Sequence, residues 1–258
     1  MHKQIILTTH HYLLDYLFIL PVRDADQRGL SMTYREIIPV IRSLAEKYDI
    51  KRNPRRLRDF MEEAFSIAAQ KYDLCRNFQR RAKVYGDVFE AVFKVIMEEL
   101  YPDIILVHEC EIARACLTGQ GKADFVAVDK YGNIKAVIEA KGSASYIVCD
   151  GLKREFKRPG LIRTDTTKKA VANAAQVKYG ISPDMPYIIV TSHKPSPRSN
   201  SGCILKLLTG AGKLVDMVVD ITDIDELERM ANYIRRAKPH NIRCSSSKSG
   251  NTYNCYEQ

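Results

Sequence analysis

GKADFVAVDKYGNIKAVIEAKGS, residues Gly121 to Ser143, holds two apolar runs separated by a turn. Ala123–Asp129 and Ile134–Lys141 are rich in Val, Ile and Ala, and Lys130-Tyr131-Gly132-Asn133 supplies the Gly and Asn of a tight reversal. The pattern predicts a β-hairpin. If Asp129 pairs with Ile134 and no bulge intervenes, facing residues sum to 263 and Asp124 sits opposite Glu139. Two facing carboxylates on a largely buried sheet repel, so a compensating cation is expected. Lys141 lies two residues beyond Glu139 and shares its face by strand alternation. A divalent cation such as Mg²⁺, with oxygen ligands, would compensate the two carboxylates, and Lys141 would lie beside that metal site.

Outward from the hairpin, the chain reads as mixed α/β. Val84–Leu100 carries the helical stripe Phe89, Val92, Phe93, Ile96 and Leu100. A strand is expected at Ile104–Ile112, before the hairpin. After it come a basic stretch from Lys153 to Arg163, a helix from Thr164 to near Gly180, and a strand at Tyr187–Thr191. A Pro/Ser-rich loop at 194–202, a strand at Val215–Ile221 and a helix at Asp223–Arg236 follow. The Ser-rich end is expected to be mobile. Residues 1–81 read as a basic helical region serving DNA contacts or dimerisation, 82–240 as the core and 241–258 as a tail. Within the first region Tyr12–Val22 predicts a buried helix, and Thr33–Tyr48 a second one with Pro39 in its first turns. Asn53-Pro54 predicts an N-cap for a third, whose apolar face is Leu57, Phe60, Met61, Ala64, Phe65 and Ala68.

The 258 residues include 45% hydrophobic and 28% charged side chains, a globular composition that excludes wholesale disorder. The net charge of +9 points to a polyanionic partner, nucleic acid before membrane. No apolar run has the length of a transmembrane helix. Seven scattered cysteines without a CxxC pair predict reduced thiols and a cytoplasmic location. His240, Cys244 and Cys255 form an incomplete zinc set that lacks a fourth ligand.

The helix, three strands, helix and strand, with Asp124 and Glu139-Ala140-Lys141 in place, resemble the PD-(D/E)XK nuclease superfamily. The resemblance spans Val84 to Thr191 and departs from the pattern at Ala123, which stands where the family name has proline. Pro102-Asp103 has no Glu-x-Lys at suitable spacing. Glu155-Phe156-Lys157 lies in a polar stretch with no apolar strand to hold a rigid site. The resemblance implies an α/β fold with a restriction-endonuclease-like αβββαβ core, a mixed central sheet and an added N-terminal helical region. It further implies Mg²⁺, replaceable by Mn²⁺, held by Asp124, Glu139 and the carbonyl of Ala140. Lys141 would orient the attacking water, and Glu90 on the preceding helix would assist. Lys169, Asn173 and Gln176 share a helix face as candidate substrate contacts. Lys153, Arg154, Lys157, Arg158 and Arg163, with Arg55 and Arg56, are candidates for the DNA backbone. The activity implied is cleavage of double-stranded DNA by a homodimer, as in type II restriction endonucleases. A repair or recombination nuclease is the alternative, supported by a partial match of Gln176 and Tyr179 to a RecB-like motif. From other classes, a non-catalytic DNA-binding module stays open, as does a plain salt bridge of Glu139 with Lys141 or Lys122 while Asp124 pairs with a nearby arginine.

Overall fold

The computed structural model describes residues 34–246 and 253–257. The helix expected at Tyr12–Val22 lies outside them. Three helices come first: α1 (Tyr34–Tyr48), α2 (Leu57–Lys71) and α3 (Arg81–Leu100). Pro39 is accommodated inside α1. Asn53 makes no side-chain cap, and Pro54–Arg56 form a 3₁₀ turn before α2. The anticipated apolar face of α2 is buried in full. Strands β1 (Ile105–Ile112), β2 (Ala123–Val128) and β3 (Ile134–Lys141) follow, then a small hairpin of β4 (Tyr146–Cys149) and β5 (Leu152–Glu155). The chain continues through α4 (Thr164–Gly180), β6 (Tyr187–Thr191), α5 (Asn200–Leu208), β7 (Met217–Asp220) and α6 (Ile224–Arg236). It ends in β8 (Ile242–Ser246) and β9 (Tyr253–Glu257).

Among the described residues one mixed sheet runs in the order β7-β6-β3-β2-β1-β9-β8. The β1, β2 and β3 meander is antiparallel, while β6 joins β3, β7 joins β6 and β9 joins β1 in parallel. Alternation along these buried strands divides the core in two. Phe125, Ala127, Ala136 and Ile138 face α1, α2, α3 and α6. Val126, Val137, Tyr187 and Ile189 face α4 and α5. Helices α1 and α2 share the first cluster with the sheet, so this part of the basic N-terminal region is packed into the same core.

Three expectations are corrected. Of the segment expected to be a mobile tail, residues 242–246 and 253–257 form strands: β8 and β9 pair with one another and β9 with β1. Ile242 and Cys255 turn inward, while alternation leaves the intervening positions free to be polar. The 194–202 loop gives way at Asn200 to α5, capped by Ser199, whose hydroxyl accepts the Gly202 N–H at 3.1 Å. Nor are all the cysteines free thiols. Cys75 is bridged to Cys149 and Cys244 to Cys255, because the fold brings together residues distant in sequence. Cys149 reaches its partner from the β4–β5 hairpin, whose two-residue turn, Asp150-Gly151, has φ of 52° and 75°. A turn with two positive φ values is the one that Asp-Gly favours.

Asp216, just before β7, fixes the parallel strands. Its carboxylate accepts the Lys178 ammonium at 2.8 Å, the Tyr187 N–H at 2.7 Å and the Tyr233 hydroxyl at 2.9 Å. The Lys178 side chain is only 6% exposed, and removing its counter-charge would strand a buried ammonium. Asp216→Ala is therefore expected to cost about 3–5 kcal/mol, read as a lowered urea midpoint.

Candidate active site

The β2–β3 turn is one residue shorter than the four-residue loop expected, with Lys130, Tyr131 and Gly132 between its closing residues. Asp129 and Asn133 close it with a main-chain hydrogen bond of 2.9 Å, and the Asp129 carboxylate accepts the N–H groups of Tyr131 and Asn133. A bulge between Ala127 and Val128 compensates, and Phe125, Val126 and Ala127 face Ile138, Val137 and Ala136. The register summing to 263 is thus restored ahead of the site. Carried one step past the last paired rung, it sets Asp124 against Glu139 on one face.

Lys141 bridges the two acids. Its Nζ is 3.0 Å from Asp124 Oδ2 and 2.5 Å from Glu139 Oε1, and donates to the Ala140 carbonyl at 3.1 Å. Asp124 Oδ2 also accepts the Ala140 N–H at 2.7 Å, which locks the carboxylate against the neighbouring strand. Glu139 is 2% exposed. Asn173 Nδ2 donates to both of its oxygens at 3.1 and 3.2 Å, and the Tyr187 hydroxyl to one at 3.1 Å. Burial pushes the Glu139 carboxyl up against the opposing pull of Lys141. Burial also opposes the Lys141 charge, but Asp124 and Glu139 outweigh it and hold the ammonium above its ordinary range. Lys122 pairs instead with Glu109 at 3.6 Å, leaving Lys141 as the cation shared by the two acids.

A cleft of about 520 Å³ opens over Ala140, Lys141 and Gly142. One wall is the start of α3 and the turn before it, with Phe78, Arg81, Tyr85 and Glu90. The other is the segment entering α4, with Lys157, Arg158 and Arg163. Gly142 has to lack a side chain, since a Cβ there would lie 2.0 Å from the Phe89 ring. Glu90 hydrogen-bonds His108 Nε2 at 2.7 Å, and burial, followed by the Asp124 charge, raises its carboxyl well above the ordinary range. Two polar atoms on the cleft residues, Arg81 Nε and Tyr85 Oη, are buried without a hydrogen-bond partner.

Of the residues singled out in the sequence, Asp124, Glu139, Ala140 and Lys141 converge. Glu90, Lys157, Arg158 and Arg163 line the cleft with Ala140 and Lys141, whereas Asp124 and Glu139 lie behind that lining, in contact with Lys141. Asn173 holds Glu139 rather than facing a substrate. Lys153 and Arg154 are exposed on β5, outside the cleft lining, and Lys153 lies 4.3 Å over the Tyr146 ring. Arg55 and Arg56 flank the start of α2, where Arg56 stacks 4.4 Å over Tyr48. Lys169 is exposed and Gln176 partly buried on α4; neither lines the cleft. Sequence reasoning missed Tyr187, whose apolar strand context hides its hydroxyl, and His108. It also missed Arg81, which reads as one more base in an Arg-rich run.

No family model, curated protein or solved structure matches this chain.

The raised Glu90 carboxyl has a thermodynamic consequence. Between the ordinary carboxylate range and its elevated native value, the folded protein holds a proton that the unfolded chain has lost, so stability falls as pH rises. Glu90→Gln retains a neutral polar group beside His108 that needs no proton uptake on folding. In chelator, its melting temperature is expected to exceed wild type at neutral pH by at least about 2 °C, the shift given by ~1 kcal/mol in a chain of this size. The difference should vanish once the pH falls below the ordinary carboxylate range.

Proposed function

We propose that the protein is a Mg²⁺-dependent deoxyribonuclease with a PD-(D/E)XK core that makes sequence-specific double-strand cuts, as type II restriction endonucleases do. One observation carries this reading. Asp124 Oδ2, Glu139 Oε1 and the Ala140 carbonyl all lie within 3.1 Å of a single cationic atom, Lys141 Nζ. The ammonium stands where these oxygens would hold a metal ion. Two carboxylates and a carbonyl are hard donors suited to Mg²⁺, with Mn²⁺ able to replace it. The order of α3, β1–β3, α4 and β6 supports the same core.

When bound, Mg²⁺ supplies charge to a non-bridging phosphate oxygen and lowers the pKa of a coordinated water. The chain's own residues do the rest. Asn173 and Tyr187 hold the Glu139 carboxylate in orientation, and the Ala140 N–H fixes Asp124. Lys141, released from the acids, positions the attacking water and stabilises the charge that develops on the phosphate. Arg81, Lys157, Arg158 and Arg163 border the cleft, and their positive charge supports a role in neutralising the DNA backbone without reading its sequence. With one such centre per chain among the described residues, a double-strand cut calls for a homodimer or two binding events.

A specific observation favours a second reading. Phe78 borders the cleft and is 68% exposed, a placement that suits stacking on an unpaired base. That feature fits a repair or recombination nuclease acting on structured or single-stranded DNA.

Incubation of the protein with plasmid in Mg²⁺ and in EDTA, beside Asp124→Ala and Lys141→Ala, separates these readings. Discrete Mg²⁺-dependent fragments, lost in Asp124→Ala, are expected. Nicking or smearing that still needs Asp124 points to the second reading. Absence of cleavage with every divalent cation and DNA form rejects the nuclease and leaves a binding module. Lys141→Ala is expected to slow cleavage by roughly 10²–10³-fold, the scale of losing one charge-stabilising group, while salt-dependent DNA affinity changes little. Equal loss of both would remove Lys141 from its catalytic role.

A further inference from the structure

At the edge of the sheet away from β7, three sulfurs meet. Cys110 comes from β1, Cys255 from β9 and Cys244 from β8. The pairing explains the meeting: β9 lies between the other two strands, parallel to β1 and antiparallel to β8, with Cys244 directly opposite Cys255. Cys110 Sγ is 2.6 Å from Cys255 Sγ and 3.1 Å from Cys244 Sγ. Cys110 and Cys255 are buried, and Cys244 is partly exposed.

The position of Cys110 distinguishes two chemistries. A thiol set to exchange with the Cys244–Cys255 disulfide would lie on the extension of the S–S bond. It would then be farther from the distal sulfur by about 2.05 Å, one bond length. Its two separations are instead nearly equal, so Cys110 sits beside the pair and closes a triangle. A triangle of sulfurs is one face of a tetrahedral thiolate site. Metal–sulfur bonds of ~2.3 Å place tetrahedral sulfurs about 3.8 Å apart. Reaching that geometry takes reduction of the Cys244–Cys255 bond, which frees its two sulfurs to part from one bond length to about 3.8 Å, and a further opening of the Cys110 contacts by about 1 Å. The sequence suggested His240 with Cys244 and Cys255, but the fold supplies Cys110 as the third convergent group.

We infer that in the reduced protein Cys110, Cys244 and Cys255 bind one thiophilic divalent cation, with Zn²⁺ the expected ion and solvent in the fourth position. The site is independent of the oxygen-only centre at Asp124 and Glu139. Soft thiolates select against Mg²⁺, so the two would not compete for a metal. Its role would be to fasten β8 and β9 to β1, whose other neighbour, β2, carries Asp124.

The test uses the full chain, stripped with chelator, held in a thiol-free reductant and titrated with Co²⁺. The expected result is near-ultraviolet thiolate-to-cobalt charge transfer that saturates at about one ion per chain, is displaced by Zn²⁺ and is unaffected by Mg²⁺. Cys110→Ser should abolish it, while Cys116→Ser, at an exposed free cysteine, should not. If circular dichroism shows that Cys110→Ser fails to fold, Cys244→Ser, on the partly exposed side, should give the same loss. The inference is overturned if the reduced wild type shows no such band in excess Co²⁺. It is equally overturned if the band persists in a folded Cys110→Ser or Cys244→Ser variant. Neither readout depends on DNA cleavage.

Discussion

The ammonium of Lys141, held among Asp124, Glu139 and the Ala140 carbonyl, is the interaction around which this fold is arranged. A carboxylate 2% exposed would be costly alone. Glu139 is tolerable because Lys141 compensates its charge and Asn173 and Tyr187 satisfy its oxygens. Each partner comes from a different element, so α4 and β6 have to dock on β3 before the cluster is complete. Charges in such a cluster are weak evidence for stability, since apolar replacements of similar shape commonly do as well.

The hairpin was legible because its signals agree: two β-rich runs, a Gly-Asn turn and a matching register. The Asp124–Glu139 opposition was nonetheless reached through the wrong turn. The shorter loop and the bulge after Ala127 shift the register in opposite senses, and no propensity scale reports such a cancellation. Helices with strong apolar periodicity, such as α3 and α6, were also readable. Asn173 was visible only as a polar residue on a helix face; its partner depends on how α4 packs, which is tertiary information.

What escaped reading follows a pattern. The β8 and β9 strands hide because edge strands need few apolar residues, and Ser-rich composition mimics disorder. The disulfide partners Cys75 and Cys149 are 74 residues apart, and connectivity cannot be deduced from spacing. The β4–β5 hairpin was missed despite its Asp150-Gly151 turn, because the basic residues around it draw attention to charge. Arg55 and Arg56 were selected by charge alone, and the structure places them away from the cleft. Charge locates a basic protein, whereas its groove is located by packing.

The parallel pairing of β9 with β1 has a consequence for how the chain is made. Cys110 and Tyr253 are neighbours in the sheet although the intervening sequence contains nearly every other strand. During synthesis β1 emerges early and keeps one open edge until the segment 253–257 has left the ribosome. Closing so long a loop is slow, and an unpaired apolar strand edge in the interval invites association with other chains. The nascent protein thus passes through a state in which the meander carrying the acidic pair can be formed while its outer border is unprotected. A chaperone or slow translation over the final strands would act on that interval.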